Sequence, residues 1–118
     1  MSSTANKSGV SHWWWQRLSA VVLAPLGLWF MFSLLTLDVI DHSAVSEWLG
    51  APLNALGVAL FVLVLSLHSQ LGVQVVIEDY VHDARWQRRG VLLVALVHIL
   101  IAAVGVLAVI RVAAGGGE

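Results

Sequence analysis

Three long runs without a single Asp, Glu, Lys or Arg dominate the chain: Leu18 to Leu37, Trp48 to Ile77 and Gly90 to Ile110. In helical form about 20 apolar residues cross the roughly 30 Å hydrocarbon core of a bilayer. The first and third runs have that length, and the middle one has room for a helix and its lead-in. Lipid offers no partner for a bare backbone amide, so each run must satisfy its own hydrogen bonds as a helix. The shorter alternating segments of a membrane barrel are missing. The pattern predicts an all-α fold of three transmembrane helices, at about residues 16–39, 51–79 and 88–112.

Local signals refine the boundaries. Residues 1–11, rich in Ser, Thr, Asn and Gly, predict a flexible lead, disordered or draped along a partner; residues 12–112 are expected to form the transmembrane domain, and 113–118 a frayed tail. The first run is long for a signal peptide, and no small-x-small cleavage site precedes a mature domain, so it reads as a retained helix. Pro52 falls where the second helix should start, a position at which its missing N–H costs nothing. Pro25 lies inside the first helix and predicts a bend. No internal repeat is visible.

Composition supports the lipid setting: 59% of residues are hydrophobic and 11% charged, and six are Trp. A formal net charge of −1 gives no bulk attraction for nucleic acid or acidic substrates. The absence of cysteine excludes disulfides, iron–sulfur clusters and thiolate metal sites carried by this chain alone. Basic residues set the orientation. Lys7 and Arg17 precede helix 1, and Arg85, Arg88 and Arg89 lie between helices 2 and 3, whereas the loop "DVIDHSAVSEW" holds three acids and no Lys or Arg. The N-terminus and the second loop are therefore expected inside and the C-terminus outside, with Arg111 dissenting. Trp13, Trp14, Trp15 and Trp86 then mark the inner interface and Trp48 the outer one.

Against this background the stretch "SLHSQLGVQVVIEDYV" stands out. His68 lies about nine residues from the inner end of its run, roughly 14 Å deep. An imidazole there is neutral and needs partners. It either hydrogen-bonds a neighbouring helix or serves a site, haem iron being a common destination for a neutral imidazole. At about 100° per residue, Gly72, Gly57 and Asp79 share its stripe, and Tyr80 lies about 120° round. Glycines flanking a histidine leave space for a flat group, or let two helices pack closely. The Glu78–Asp79–Tyr80 cluster suits either a site or an ordinary membrane boundary where the acids pair with Arg85, Arg88 and Arg89. Arg17 suits a topology anchor or a partner for a buried anion. His98 is a second buried imidazole, for which a helix–helix hydrogen bond is expected rather than ligation. His12, His42 and His82 lie at or beyond the interfaces.

Together, "HWWWQRLSAVVL" opening helix 1 and "LHSQLGVQVVIEDYVHD" through helix 2 resemble the small membrane-anchor, or cytochrome b small, subunit of succinate dehydrogenase, respiratory complex II. The likeness extends over the whole chain in helix number and orientation. It rests on His-x3-Gly-x6-Asp-Tyr at His68, Gly72, Asp79 and Tyr80, and on Arg-x-Ser-Ala at Arg17. The resemblance implies half of a haem-binding bundle, completed by a second cytochrome b anchor subunit that gives the other axial histidine. Iron–sulfur and flavoprotein subunits dock on the inner face and carry the clusters and flavin. His68 would be an axial ligand of haem b, Arg17 a propionate contact, and Gly72 part of the haem packing. Tyr80 would donate a hydrogen bond to ubiquinone, with Asp79 as its polar neighbour. Members often carry Thr at the position of Ser19, so a hydroxyl is retained. The implied role is a non-autonomous anchor subunit of the enzyme succinate:ubiquinone oxidoreductase, with succinate oxidation itself in partner subunits, serving the tricarboxylic acid cycle and aerobic electron transport in a bacterial inner membrane. A quinol:fumarate reductase anchor, or a non-redox scaffold or transporter subunit, are the alternatives.

Overall fold

The computed structural model describes residues 2–115, with side chains from Gly9 onward. It contains four helices: α1 (Ser2–Leu35), α2 (His42–Leu49), α3 (Pro52–Tyr80) and α4 (Ala84–Ala113). Among the described residues there is no strand. Three segments are long and apolar enough to cross a membrane: Gly9–Leu35, Pro52–Tyr80 and Ala84–Ala113.

The boundaries differ from expectation mainly at α1. Its helix begins at Ser2, so the backbone of residues 2–11, expected to be a flexible lead, is helical. No proline interrupts the ladder there, and helix already formed propagates at one hydrogen bond per added residue. α1 also continues through Pro25 and ends at Leu35, about one turn before the predicted limit. At that end Thr36 bonds its N–H to Phe32 and Ser33 carbonyls and its hydroxyl to the Ser33 carbonyl, closing the last turn. The tail expected at 113–118 falls largely outside the described residues. Ala113 is the last helical residue, and Gly115, at φ +82°, gives its N–H to the Val112 carbonyl in the left-handed turn that closes many helices.

The short helix α2 is an element the charge pattern did not predict. Asp41, in extended conformation, accepts the Ala44 N–H at 2.8 Å and caps it. Val45, Trp48 and Leu49 share one face and turn inward against α3 and α4. Asn54 donates to the Trp48 carbonyl at 2.9 Å and ties the end of α2 to the start of α3. Pro52 occupies the first turn of α3 as expected. At the opposite membrane face Asp83 caps α4 by accepting the Arg85 and Trp86 N–H groups.

The spans form a layer with α3 in the middle, packed against α1 on one side and α4 on the other; among the described residues the α1 and α4 backbones do not approach each other. Both pairings are antiparallel. Along the first seam Trp29 meets Gly57, Ser19 meets His68 and Gln16 meets Gly72. Along the second, Val62 meets Gly105, Ser69 meets His98 and Ile77 meets Gly90. A methyl group at Gly57 would lie 2.5 Å from the Trp29 ring, and one at Gly105 would lie 2.8 Å from Val62. Small residues at these crossings let the backbones approach, which is how helices associate in lipid. The buried core is small and sits at the α2 end, where Leu49, Val58 and Val109 are covered by Trp29, Phe30, Trp48 and neighbours. Elsewhere large apolar side chains such as Leu28, Met31, Phe32 and Leu92 face outward, as a lipid or subunit surface requires.

Candidate functional site

The α1–α3 seam carries the chemistry. α3 presents His68 toward α1, and its Nδ1 lies 2.9 Å from the Ser19 hydroxyl oxygen. That hydroxyl also lies 2.9 Å from the Gln16 carbonyl, to which it donates. With its one proton given to Gln16, the hydroxyl can only accept from His68, so Nδ1 carries the ring proton. The Nε2 lone pair remains, without a hydrogen-bond partner among the described residues. Ser19 is 4% exposed and is the buried polar residue of the described chain.

His68, half-buried, borders two adjoining concavities. One, of about 520 Å³, is edged by His12, Gln16 and Arg17. The other, of about 890 Å³, is apolar, with Leu23, Gly27, Met31 and Phe61 among its walls. His12 Nε2 and Gln16 Oε1 are buried yet lack partners, a state that costs free energy unless a ligand or partner supplies them. Arg17 is exposed, its guanidinium held 4.5 Å above the Trp13 ring. The groove thus has an apolar end, a polar end with a cation, and a ligand-competent imidazole where they join. No cluster of three or more His, Asp or Glu able to hold a bare metal ion exists among the described residues.

His98 forms the helix–helix hydrogen bond expected of it. Nδ1 donates to the Val94 carbonyl at 2.8 Å, and Nε2 accepts from the Ser69 hydroxyl at 3.0 Å. Both ring nitrogens are engaged, on the side of α3 that faces α4.

The glycine stripe splits in function. Gly57 is filled by the Trp29 ring, so there helix packing, not space for a flat group, accounts for the glycine. Gly72 faces Gln16, whose Nε2 would lie 3.7 Å from an added methyl. Arg17 and His68 are brought to one groove, but Asp79 and Tyr80 are not. They end α3, both exposed, Tyr80 to 79%. Nearby, Gln74 donates to Glu78, Gln87 donates to the Glu78 and Val81 carbonyls, and Arg89 stacks over Trp86. Sequence reasoning gave no site role to Ser19, Gln16 and His12. Their signal was the spacing of His12, Gln16 and Ser19, which share a face of a helix that otherwise turns apolar.

The fold defines a multi-pass helical membrane protein. Residues 2–109 match the family model of the succinate dehydrogenase/fumarate reductase transmembrane subunit. The succinate dehydrogenase hydrophobic membrane anchor subunit of Rickettsia typhi is 33% identical over 99 residues, covering 84% of this chain and 79% of its own. That of Rickettsia conorii is 31% identical, covering 80% and 76% respectively. The succinate dehydrogenase membrane anchor subunit of Reclinomonas americana is 32% identical, covering 79% and 80%. No solved structure matches the chain significantly. The chain belongs to the succinate dehydrogenase/fumarate reductase transmembrane subunit family, as a membrane anchor of the succinate dehydrogenase type and so part of an oxidoreductase complex.

Proposed function

We propose that this chain anchors a succinate:ubiquinone oxidoreductase in a bacterial inner membrane, gives one axial ligand to a b-type haem, and forms part of the ubiquinone site. The observation that carries the reading is His68, whose Nδ1 is held by Ser19 while Nε2 is left without a partner at the groove. An imidazole fixed through one nitrogen is prepared to ligate through the other. The rest of the groove suits haem. Its apolar walls match the macrocycle, and the polar end, with the Arg17 guanidinium and the unpartnered His12 Nε2, matches the propionates. Gly72 lies opposite Gln16 at that end, with a methyl-sized space between them. When bound, haem supplies a one-electron redox centre.

A single histidine from this chain leaves the second axial position to a second anchor subunit, which would also cover the exposed apolar faces beside the groove. Tyr80 and Asp79 lie at the end of the same helix, about 18 Å along it from His68. There Tyr80 has a hydroxyl with no partner among the described residues, able to donate to a quinone carbonyl while the isoprenoid tail stays in lipid. Quinone reduction consumes protons, and carboxylates beside water can relay them. Iron–sulfur clusters belong to partner subunits, since this chain has no cysteine to ligate them, and the flavin belongs to the flavoprotein subunit. Purification of the native complex tests the proposal. It should yield flavoprotein, iron–sulfur and second anchor subunits with a reduced b-type spectrum. Flavoprotein without haem would indicate a haem-free anchor of the fumarate reductase kind, and a colourless product without flavoprotein a scaffold.

A further inference from the structure

Two serine–histidine pairs in this chain have opposite polarity. Ser69 sits on Nε2 of His98 and occupies it, while that ring's Nδ1 donates to its own helix. Ser19 sits on Nδ1 of His68 and leaves Nε2 open. We propose that Ser19 is a positioning residue for His68: it fixes the ring's rotation and tautomer so that the Nε2 lone pair faces the groove, and it tunes the ligand's basicity. The inference rests on the assignment of His68 as a haem ligand.

The geometry leaves the hydroxyl little choice. If its proton turned toward His68 Nδ1, the Ser19 oxygen and the Gln16 carbonyl would face each other at 2.9 Å with no proton between them. Donation to Gln16 satisfies both contacts and makes the oxygen a better acceptor for Nδ1–H. Burial at 4% exposure keeps water from replacing it. The bond joins residues 49 positions apart on two helices, so it fixes the ring relative to α1, where Arg17 and the polar end of the groove reside. An imidazole whose N–H is accepted is a stronger donor to metal, which favours the ferric over the ferrous state.

The test compares Ser19→Ala, Ser19→Thr and His68→Ala in the assembled complex, read by haem retention, the low-spin ferric EPR signal and the haem midpoint potential. Ser19→Ala should lose haem about 10- to 100-fold more readily, the usual effect of removing such a support. Its midpoint should rise by up to tenfold in relative ferric/ferrous affinity, or about 59 mV, with altered EPR g values. Ser19→Thr keeps the hydroxyl and should restore wild-type behaviour. Should Ser19→Ala not assemble, Ser19→Cys, a weaker acceptor of similar size, should shift the potential the same way. Haem loss in His68→Ala with wild-type retention, potential and EPR in the Ser19 variants would overturn this inference alone. A wild-type haem signal in His68→Ala would overturn the ligand assignment beneath it.

Discussion

Replacing Gly57 by Ala adds one methyl group at the tightest crossing of the α1–α3 seam. That carbon would lie 2.5, 2.9 and 3.2 Å from Cη2, Cζ3 and Cζ2 of Trp29. Carbon atoms in comfortable contact stand about 3.5–4.0 Å apart, so the ring would have to retreat by about 1 Å. It has little room, because the Trp48 ring packs against it with centroids 5.6 Å apart, and both rings rest on the small buried core. Overpacking of this kind costs about 1–3 kcal/mol. Thermal denaturation of the purified complex, followed through the α1–α3 contact by tryptophan fluorescence, should show Gly57→Ala unfolding at lower temperature. The mechanism makes a sharper demand. All three contacted atoms belong to the outer ring of the indole, so in a Trp29→Phe background the added methyl should cost measurably less. The coupling expected between touching residues is about 0.5–3 kcal/mol. An equal penalty in both backgrounds would refute the steric argument, and no penalty in either would show that the seam is looser than its geometry indicates.

Tyr80→Phe removes only a hydroxyl at an exposed position, so haem content and assembly should survive. A lost hydrogen bond of roughly 0.5–1.5 kcal/mol corresponds to a fall of about 2- to 10-fold in quinone reductase efficiency. Succinate oxidation with an acceptor that bypasses quinone should not change; unaltered quinone reduction would make Tyr80 an interfacial anchor only. His98→Ala breaks the Ser69 bond and should lower thermal stability by about 1 kcal/mol while leaving the haem spectrum intact, and loss of haem there would contradict the assignment of both nitrogens. A reporter active only in the cytoplasm, fused after His42, should be silent; activity would invert the orientation and move Tyr80 to the wrong face.

The spans were legible because lipid imposes a strong rule on sequence: long uncharged runs must be helices, and three were visible between the charges. Pro52 marked the start of α3 for the same local reason that places it there in space. α2 was not legible from the charge pattern, because an eight-residue helix at an interface need not be uncharged; Asp41 as cap and the spacing of Val45, Trp48 and Leu49 were its signals. The ends of α1 depend on propagation and on how Thr36 closes a turn, which composition does not encode. At the site, periodicity put His68 and its glycines on one stripe, but phase on a single helix cannot say what stands opposite. That information lies in the pairing of α1 with α3. It made Gly57 a seat for Trp29 and brought Ser19, which the sequence marked only as part of a motif, onto the one nitrogen that decides how His68 can act.

His68 is the proposed source of the nitrogen that this chain would offer to haem iron. The most direct measurement is the reduced-minus-oxidised visible spectrum of the purified complex carrying His68→Ala, set beside His98→Ala and normalised to the flavoprotein present. The low-spin b-type bands should vanish or change to those of an altered ligand set in the first and persist in the second. Unchanged bands in His68→Ala, with loss in His98→Ala, would contradict it.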